Sequence, residues 1–176
     1  MKILAVDDDT LILDLLKSVL LNTGHKDLEV TSSAVDALKM VQRSDTPYEC
    51  LLLDIQMPEM DGIAMARAVR KISGYEETPI IMLTAMTERR YMEDAFLAGA
   101  TDYITKPFDV LELGARIRVA AKLSEAHARL EENALRRAGA VQMGETSHLS
   151  RDEMAALFAD DLLGATPLLS RRREVA

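Results

Sequence analysis

The stretch Leu-Leu-Leu-Asp-Ile-Gln-Met-Pro-Glu-Met-Asp-Gly, residues 51–62, contains a short apolar run that ends in an acid. Such a run is typical of a strand covered on both sides, so we predict a strand from Cys50 to Asp54. Asp61 is a suitable N-cap for a following helix, whose apolar positions recur at helical spacing from Ile63 to Ile72. The stretch therefore predicts a strand, a loop and a helix, with Asp54 at the carboxyl end of the strand.

The same alternation of apolar runs and helical patterns continues on both sides of this unit. The other strand candidates are Ile3–Asp7, Leu28–Thr31, Pro79–Thr84 and Thr101–Thr105. Thr87 and Asp109 are suitable N-caps, and Gly24 and Gly99 stand where helices should stop. Strands separated by helices run parallel through right-handed crossovers, with helices on both faces. The sequence therefore predicts a doubly wound α/β fold of five βα units.

Composition narrows the classes of function. The 176 residues carry a formal net charge of -8, which disfavours a broad nucleic-acid footprint because phosphate neutralisation needs positive charge. Cys50 is the only cysteine, which excludes a disulfide framework and suits a reducing compartment. No apolar run approaches the roughly 20 residues of a membrane helix. We therefore expect a cytoplasmic protein that binds neither nucleic acid nor membrane.

The C-terminal part extends beyond the five units. From Val110 a helical pattern continues to about Ala134, which predicts an extended helix or coiled-coil stalk over residues 123–138 and a possible homodimer through it. Residues 139–176 are interpreted as a linker and a short helical tail without an effector domain. An alternative is that the chain is the front part of a larger regulator whose effector domain is truncated.

Polar residues stand at the carboxyl ends of the predicted strands, where doubly wound sheets collect their ligands. Asp7 and Asp8 follow the first strand, and Asp54 ends the third. Carboxylates about 4 Å apart repel by about 4 kcal/mol per pair at an effective dielectric near 20, so the cluster favours a cation. Lys106 offers one charge, and Mg²⁺ offers two with oxygen ligands. With both present, a carboxylate oxygen could attack a phosphoryl group, and Thr84 could donate a hydrogen bond to the product.

These residues carry a family resemblance. Val6-Asp7-Asp8, residues 51–62, Leu83-Thr84-Ala85 and residues 103–108 (Tyr-Ile-Thr-Lys-Pro-Phe) occur in order. Together they resemble the receiver domain of two-component response regulators over residues 1–122. The resemblance implies a flavodoxin-like sheet of strand order 2-1-3-4-5. Because the tail carries no catalytic motif, we expect a signalling protein without enzymatic output, whose own chemistry is self-catalysed phosphorylation and dephosphorylation.

The resemblance implies a role for each motif residue. Asp54 would accept a phosphoryl group from a sensor histidine kinase or a histidine phosphotransfer protein, and a downstream protein partner would recognise the result. The implied Mg²⁺ ligands are Asp8, Asp54 and the backbone carbonyl of Gln56, with Asp7 acting through water. The implied phosphoryl contacts and switch residues are Lys106, Thr84 and Tyr103. The Lys106–Pro107 peptide bond would be cis.

Other interpretations are weaker on the residues themselves. Asp9 follows the acidic pair, and its role as a helix N-cap is favoured over metal ligation. A flavodoxin-like flavin carrier needs a phosphate loop rich in Ser, Thr and Gly after the first strand, where this chain has three acids. An aspartyl phosphatase commonly has a second acid two residues after the nucleophile, where this chain has Gln56. Both enzymes are therefore disfavoured.

Overall fold

The computed structural model describes residues 1–85 and 89–146, in which five strands alternate with five helices. The strands are β1 (Ile3–Val6), β2 (Leu28–Thr31), β3 (Cys50–Asp54), β4 (Ile80–Thr84) and β5 (Asp102–Thr105). The helices are α1 (Thr10–Asn22), α2 (Ala34–Arg43), α3 (Gly62–Val69), α4 (Arg89–Leu97) and α5 (Val110–Thr146). The five predicted units are confirmed, and no predicted strand boundary differs from the observed one by more than one residue.

The strands form one parallel sheet in the order β2-β1-β3-β4-β5, which confirms the predicted fold. Pairing of Val6 with Leu53 places the residues that follow β1 beside the end of β3. Thr84 pairs with Thr105, so the residue after β5 lies beside the end of β4. The register therefore brings the polar strand ends together at one edge of the sheet, which we call the carboxyl edge.

Two hydrophobic clusters cover the sheet, one on each face. Leu51 and Leu53 pack in a cluster with α2, α3 and the end of α4. Cys50 and Leu52 pack in the other cluster, with α1 and the first turns of α5. Because successive side chains of a strand point to opposite faces, β3 is apolar throughout and fully buried. The central strand therefore holds Asp54 on a rigid support.

Helix ends follow the predicted signals where the structure describes them. Asp61 accepts a hydrogen bond from the backbone N–H of Ala64, and Asp109 accepts one from Leu111, so both are N-caps. Gly24 and Gly99 follow α1 and α4 with φ of 91° and 98°, a backbone conformation that glycine adopts without strain. The predicted cap Thr87 lies outside the described residues.

Helix α5 is longer than the sequence predicts. It continues through Thr146, so the first residues of the predicted linker are helical. An isolated glycine such as Gly139 costs a helix only about 1 kcal/mol, which is too little to end it. The chain divides into two compact units, Met1–Leu130, which contains the sheet, and Glu131–Ala176. None of the helices in the described ranges has the length and apolarity needed to cross a membrane.

Candidate functional site

Three carboxylates converge at the carboxyl edge of the sheet. Asp7 and Asp8 follow β1, and Asp54 ends β3. One carboxylate oxygen from each lies within 4.8 Å of the other two. Asp7 and Asp54 are buried, with 0% and 4% of their surface exposed, whereas Asp8 is exposed to solvent. The acids therefore form a pocket with two buried walls and one side that solvent can reach.

Lys106 connects the two buried acids. Its Nζ donates a hydrogen bond of 2.6 Å to Oδ1 of Asp54 and forms an ion pair of 2.6 Å with Oδ2 of Asp7. The Lys106 side chain is only 17% exposed, so solvent screens these pairs weakly. The sequence placed Lys106 near the acids, and the structure adds that it contacts both of them directly.

Charge at the site is not balanced, because one lysine faces three acids. Burial raises the pKa of Asp54 above its ordinary value, and repulsion from Asp7 adds to this, while the hydrogen bond from Lys106 only partly offsets it. Burial alone would lower the pKa of Lys106, but its hydrogen bonds to Asp54 and Asp7 outweigh burial and raise that pKa. The site therefore stabilises the charged form of Lys106 and destabilises the charged form of Asp54.

The other predicted site residues lie at or near the carboxyl ends of the strands. Thr84 ends β4 and is 1% exposed. Tyr103 lies on β5, half-buried, with its ring edge-on to Phe96 at a centroid distance of 5.9 Å. Gln56 follows β3 with an exposed side chain. The peptide bond between Lys106 and Pro107 is cis.

Gly62 is a site-forming residue whose role the sequence analysis did not assign. A Cβ atom at this position would overlap the backbone carbonyl oxygen of Asp54, and the Gly62 N–H donates to the carbonyl of Ile55 at 3.0 Å. The first turn of α3 can therefore lie directly against the end of β3. The glycine directly after the Asp61 cap was the available signal, but only the tertiary contact shows why a side chain is excluded.

The residues present fit a hard divalent cation. Oδ2 of Asp7 is fully buried and shares the Lys106 ammonium with Asp54, at 2.6 Å each. It belongs to the three-carboxylate cluster, whose oxygens are the ligand type that Mg²⁺ prefers. A divalent cation would also offset the charge that Lys106 leaves unbalanced. The acidic pocket of Asp7, Asp8 and Asp54 is thus compatible with Mg²⁺ binding.

Comparison with known proteins agrees with this geometry. The family model of the response regulator receiver domain matches residues 3–118. The chain belongs to this family. Receiver domains are regulatory modules of two-component systems that bind Mg²⁺ at an acidic pocket and are generally not enzymes.

Curated relatives of this receiver domain are longer proteins. It is 38% identical over 120 residues to the transcriptional regulatory protein YvrH of Bacillus subtilis, which covers 68% of this chain and 48% of that protein. It is 37% identical over 136 residues to the transcriptional regulatory protein SrrA of Staphylococcus aureus, which covers 73% of this chain and 54% of that protein. The chain thus spans about half the length of these relatives.

Solved structures share the fold. The chemotaxis protein CheY4 of Vibrio cholerae superposes with a TM-score of 0.63 at 31% identity, covering 68% of this chain and 97% of that one. The receiver domain of the sensor histidine kinase PA1611 of Pseudomonas aeruginosa superposes with a TM-score of 0.61 at 27% identity, covering 70% and 97%. The latter structure has a magnesium ion coordinated in its active site cleft.

Proposed function

We propose that this receiver domain accepts a phosphoryl group on Asp54 and thereby switches a protein-interaction surface. The convergence of Asp54 with Asp7 and Asp8 around the Nζ of Lys106 carries the proposal. Asp54 is the member of the cluster at the end of the central strand. It is 4% exposed and accepts a hydrogen bond from the ammonium of Lys106. A carboxylate in this position can act as a nucleophile, and the ammonium of Lys106 can offset the negative charge of the phosphorylated product.

The chemical step is an in-line transfer. An Oδ atom of Asp54 attacks phosphorus, the P–N bond to the donor histidine breaks, and a P–O bond forms to give an acyl phosphate. The donor imidazole leaves with the electron pair of the broken bond and is reprotonated from solvent. Lys106, which already contacts Asp54 at 2.6 Å, is within reach of an oxygen attached there. The hydroxyl group of Thr84 would donate a hydrogen bond to another phosphoryl oxygen.

Asp8, Asp54 and the backbone carbonyl of Gln56 would hold Mg²⁺, with Asp7 bound through water. When bound, the ion supplies positive charge to the phosphoryl oxygens. The exposed side of the pocket at Asp8 would admit it from solvent. Asp7 is fully buried and paired with Lys106, which suits a residue that orients the lysine.

A small phosphodonor tests the phosphoacceptor. Incubation of the full chain with acetyl phosphate and Mg²⁺ should produce an acid-stable, alkali-labile phosphate that peptide mass spectrometry places on Asp54. Asp54→Asn should abolish it, and Lys106→Met should reduce it strongly. Asp14→Asn is the control, because this acid is exposed and its ion pair is with Lys17 of the same helix. Phosphate on another residue, or its absence from the wild-type chain, would reject the proposal.

Tyr103 is the proposed switch residue. Its ring packs against the cluster under α4 and contacts Phe96, whose side chain is 47% exposed. We infer that Thr84, moving toward a phosphoryl group, would change the space available to Tyr103 and so alter the surface of α4, β5 and α5. Chemical shifts of the Tyr103 ring, with and without beryllofluoride and Mg²⁺, test this. An unchanged ring environment in the presence of bound beryllofluoride would contradict it.

The proposed partners are a sensor histidine kinase or a histidine phosphotransfer protein upstream and a protein downstream. The relatives YvrH and SrrA are transcriptional regulatory proteins. Because the matched region is about half of each relative, regulation of transcription is a property of those proteins and is not part of the proposal for this chain. Phosphotransfer from candidate kinases, compared by initial rate, would identify the upstream partner.

Self-association through α5 is a further proposal. Leu130 and Leu135 of this helix are 66% and 74% exposed, which leaves apolar surface for a second copy. The ion pairs Glu125–Arg129 and Glu132–Arg136 support the helix along its length. Sedimentation with and without beryllofluoride tests the dimer, and Leu130→Glu should abolish it. A monomer at every concentration and in both states would reject it.

A further inference from the structure

Asp9 holds two hydrogen bonds at the junction between β1 and α1. Its Oδ1 accepts from the backbone N–H of Leu11 at 2.9 Å, which makes it the N-cap of α1. Its own backbone N–H donates to Oδ1 of Asp7 at 3.1 Å. The same residue therefore fixes the start of the helix and one carboxylate oxygen of the acidic pocket.

Asp8 stands between these two anchored residues. Its side chain is exposed, and no hydrogen bond joins Asp8 to another described residue. On the strand side, the backbone N–H of Asp7 donates to the carbonyl of Thr31 at 3.3 Å. On the helix side, the carbonyl of Asp9 accepts the first helical hydrogen bond, from Leu13 at 3.1 Å. The position of the Asp8 carboxylate thus depends on how firmly its two neighbours are held.

We propose that Asp9 is a positioning residue of the metal site, which holds the Asp7–Asp8 pair through its cap and its backbone N–H without binding the ion itself. Mutation of groups that orient metal ligands typically lowers metal affinity by about 10- to 100-fold. Loss of the cap would let the first turn of α1 fray and release Asp8 from one side. This inference rests on the proposed Mg²⁺ site at Asp8 and Asp54.

The test compares two uncharged variants, since removing the Asp9 charge would itself weaken the attraction of a cation. Asp9→Asn keeps a capping oxygen, and Asp9→Ala does not. Because both lack the charge, the ratio of their Mg²⁺ dissociation constants reports the cap alone. We expect Asp9→Ala to bind Mg²⁺ about tenfold more weakly than Asp9→Asn. Calorimetric titration of the full chain with MgCl₂, well below the unfolding temperature of each variant, measures this.

Ser33→Ala is the matched control. Ser33 caps α2 by accepting from the backbone N–H of Asp36 at 3.2 Å, and it follows the edge strand β2, which β1 separates from β3. We expect this variant to lose a similar amount of stability while its Mg²⁺ affinity stays at the wild-type value. Asp9→Ser, which restores a capping oxygen, should bind as Asp9→Asn does.

Two results would overturn the inference. Equal affinities of Asp9→Ala and Asp9→Asn would show that the cap does not position the pocket. A loss in Ser33→Ala as large as that in Asp9→Ala would assign the effect to general destabilisation. A wild-type chain that binds no Mg²⁺ would instead reject the metal site proposed above, which is a separate failure.

Discussion

The two edges of the sheet differ in whether the chain itself supplies partners that balance its polar and charged groups. At the amino edge, where the strands begin, the guanidinium of Arg70 donates four hydrogen bonds to the carbonyls of Gly99, Tyr75 and Thr78 at 2.6–3.1 Å. At the carboxyl edge, one lysine faces three acids, and two of them share its ammonium at 2.6 Å. The first arrangement is satisfied within the chain, whereas the second leaves negative charge that a cation would offset.

A second contact at the amino edge follows the same rule. Tyr48 is buried, and its hydroxyl donates to Glu29 at 2.7 Å while the ammonium of Lys2 lies 4.4 Å from its ring centre. Burial and the neighbouring carboxylate raise the pKa of Tyr48 far above its ordinary value. Buried polar groups whose charges are balanced stabilise a fold, whereas a buried cluster with unbalanced charge is typical of a functional site.

The largest effect on this comparison is expected from Arg70→Met. The variant leaves three loop carbonyls without their donor, so the free energy of unfolding should fall by about 3 kcal/mol. Mg²⁺ affinity of the folded protein should not change, because the hydrogen bonds of Arg70 go to the carbonyls of Gly99, Tyr75 and Thr78 at the opposite edge from the acidic pocket. Urea unfolding followed by circular dichroism measures the loss. The control is Arg67→Met on the exposed face of α3, and a loss below that of the control would contradict the role of the edge.

Mg²⁺ affinity should depend on pH through Asp54. Its pKa is raised, so as pH falls through that value the carboxylate is protonated and Mg²⁺ loses a ligand. Affinity should then decrease by up to about tenfold per pH unit, or 1.4 kcal/mol. Titrations across the acidic range test this. The same profile is expected for Asp45→Asn, an exposed acid. An affinity that declines only at the ordinary pKa of aspartate would contradict the expectation.

Asp54→Asn should stabilise the metal-free protein near neutral pH by about 1 kcal/mol. A raised folded pKa means that proton binding at Asp54 stabilises the fold at low pH. That contribution is lost as pH rises through the raised value, which leaves a costly charge. Asparagine removes the charge and keeps an acceptor for Lys106. Thermal and urea unfolding without Mg²⁺ measure the gain, and Asp45→Asn should show none. Destabilisation by Asp54→Asn would show that the lysine already balances the pocket.

An effect of similar size but opposite sign is expected from Tyr48→Phe. The variant keeps the ring under Lys2 and removes only the hydroxyl bonded to Glu29, so stability should fall by about 1 kcal/mol. Its Mg²⁺ affinity should equal that of the wild type. Tyr91→Phe, whose hydroxyl accepts from the exposed Arg90 at 3.2 Å, is the control and should cost less. A change in Mg²⁺ affinity with Tyr48→Phe would contradict the assignment of ligand binding to the carboxyl edge alone.

Local signals account for what the sequence predicted well. The apolar run that ends in Asp54 and the acids that follow β1 each lie within a few residues, and parallel pairing then brings strand ends together. The caps Asp61 and Asp109 were readable for the same reason. Helix α5 continues past Gly139 because one glycine is a weak stop signal. The sequence-based prediction of a linker from residue 139 gave that signal too much weight.

By itself, the sequence determined the parallel α/β fold, the edge that carries the acids and the residues of the pocket, because hydrophobic period and strand ends are local properties. Only the tertiary structure decided that Lys106 bonds Asp54 across 52 residues of chain, that Gly62 must lie against the Asp54 carbonyl and that Arg70 joins two distant loops. Such contacts depend on distances between elements far apart in the chain, which only packing in three dimensions sets.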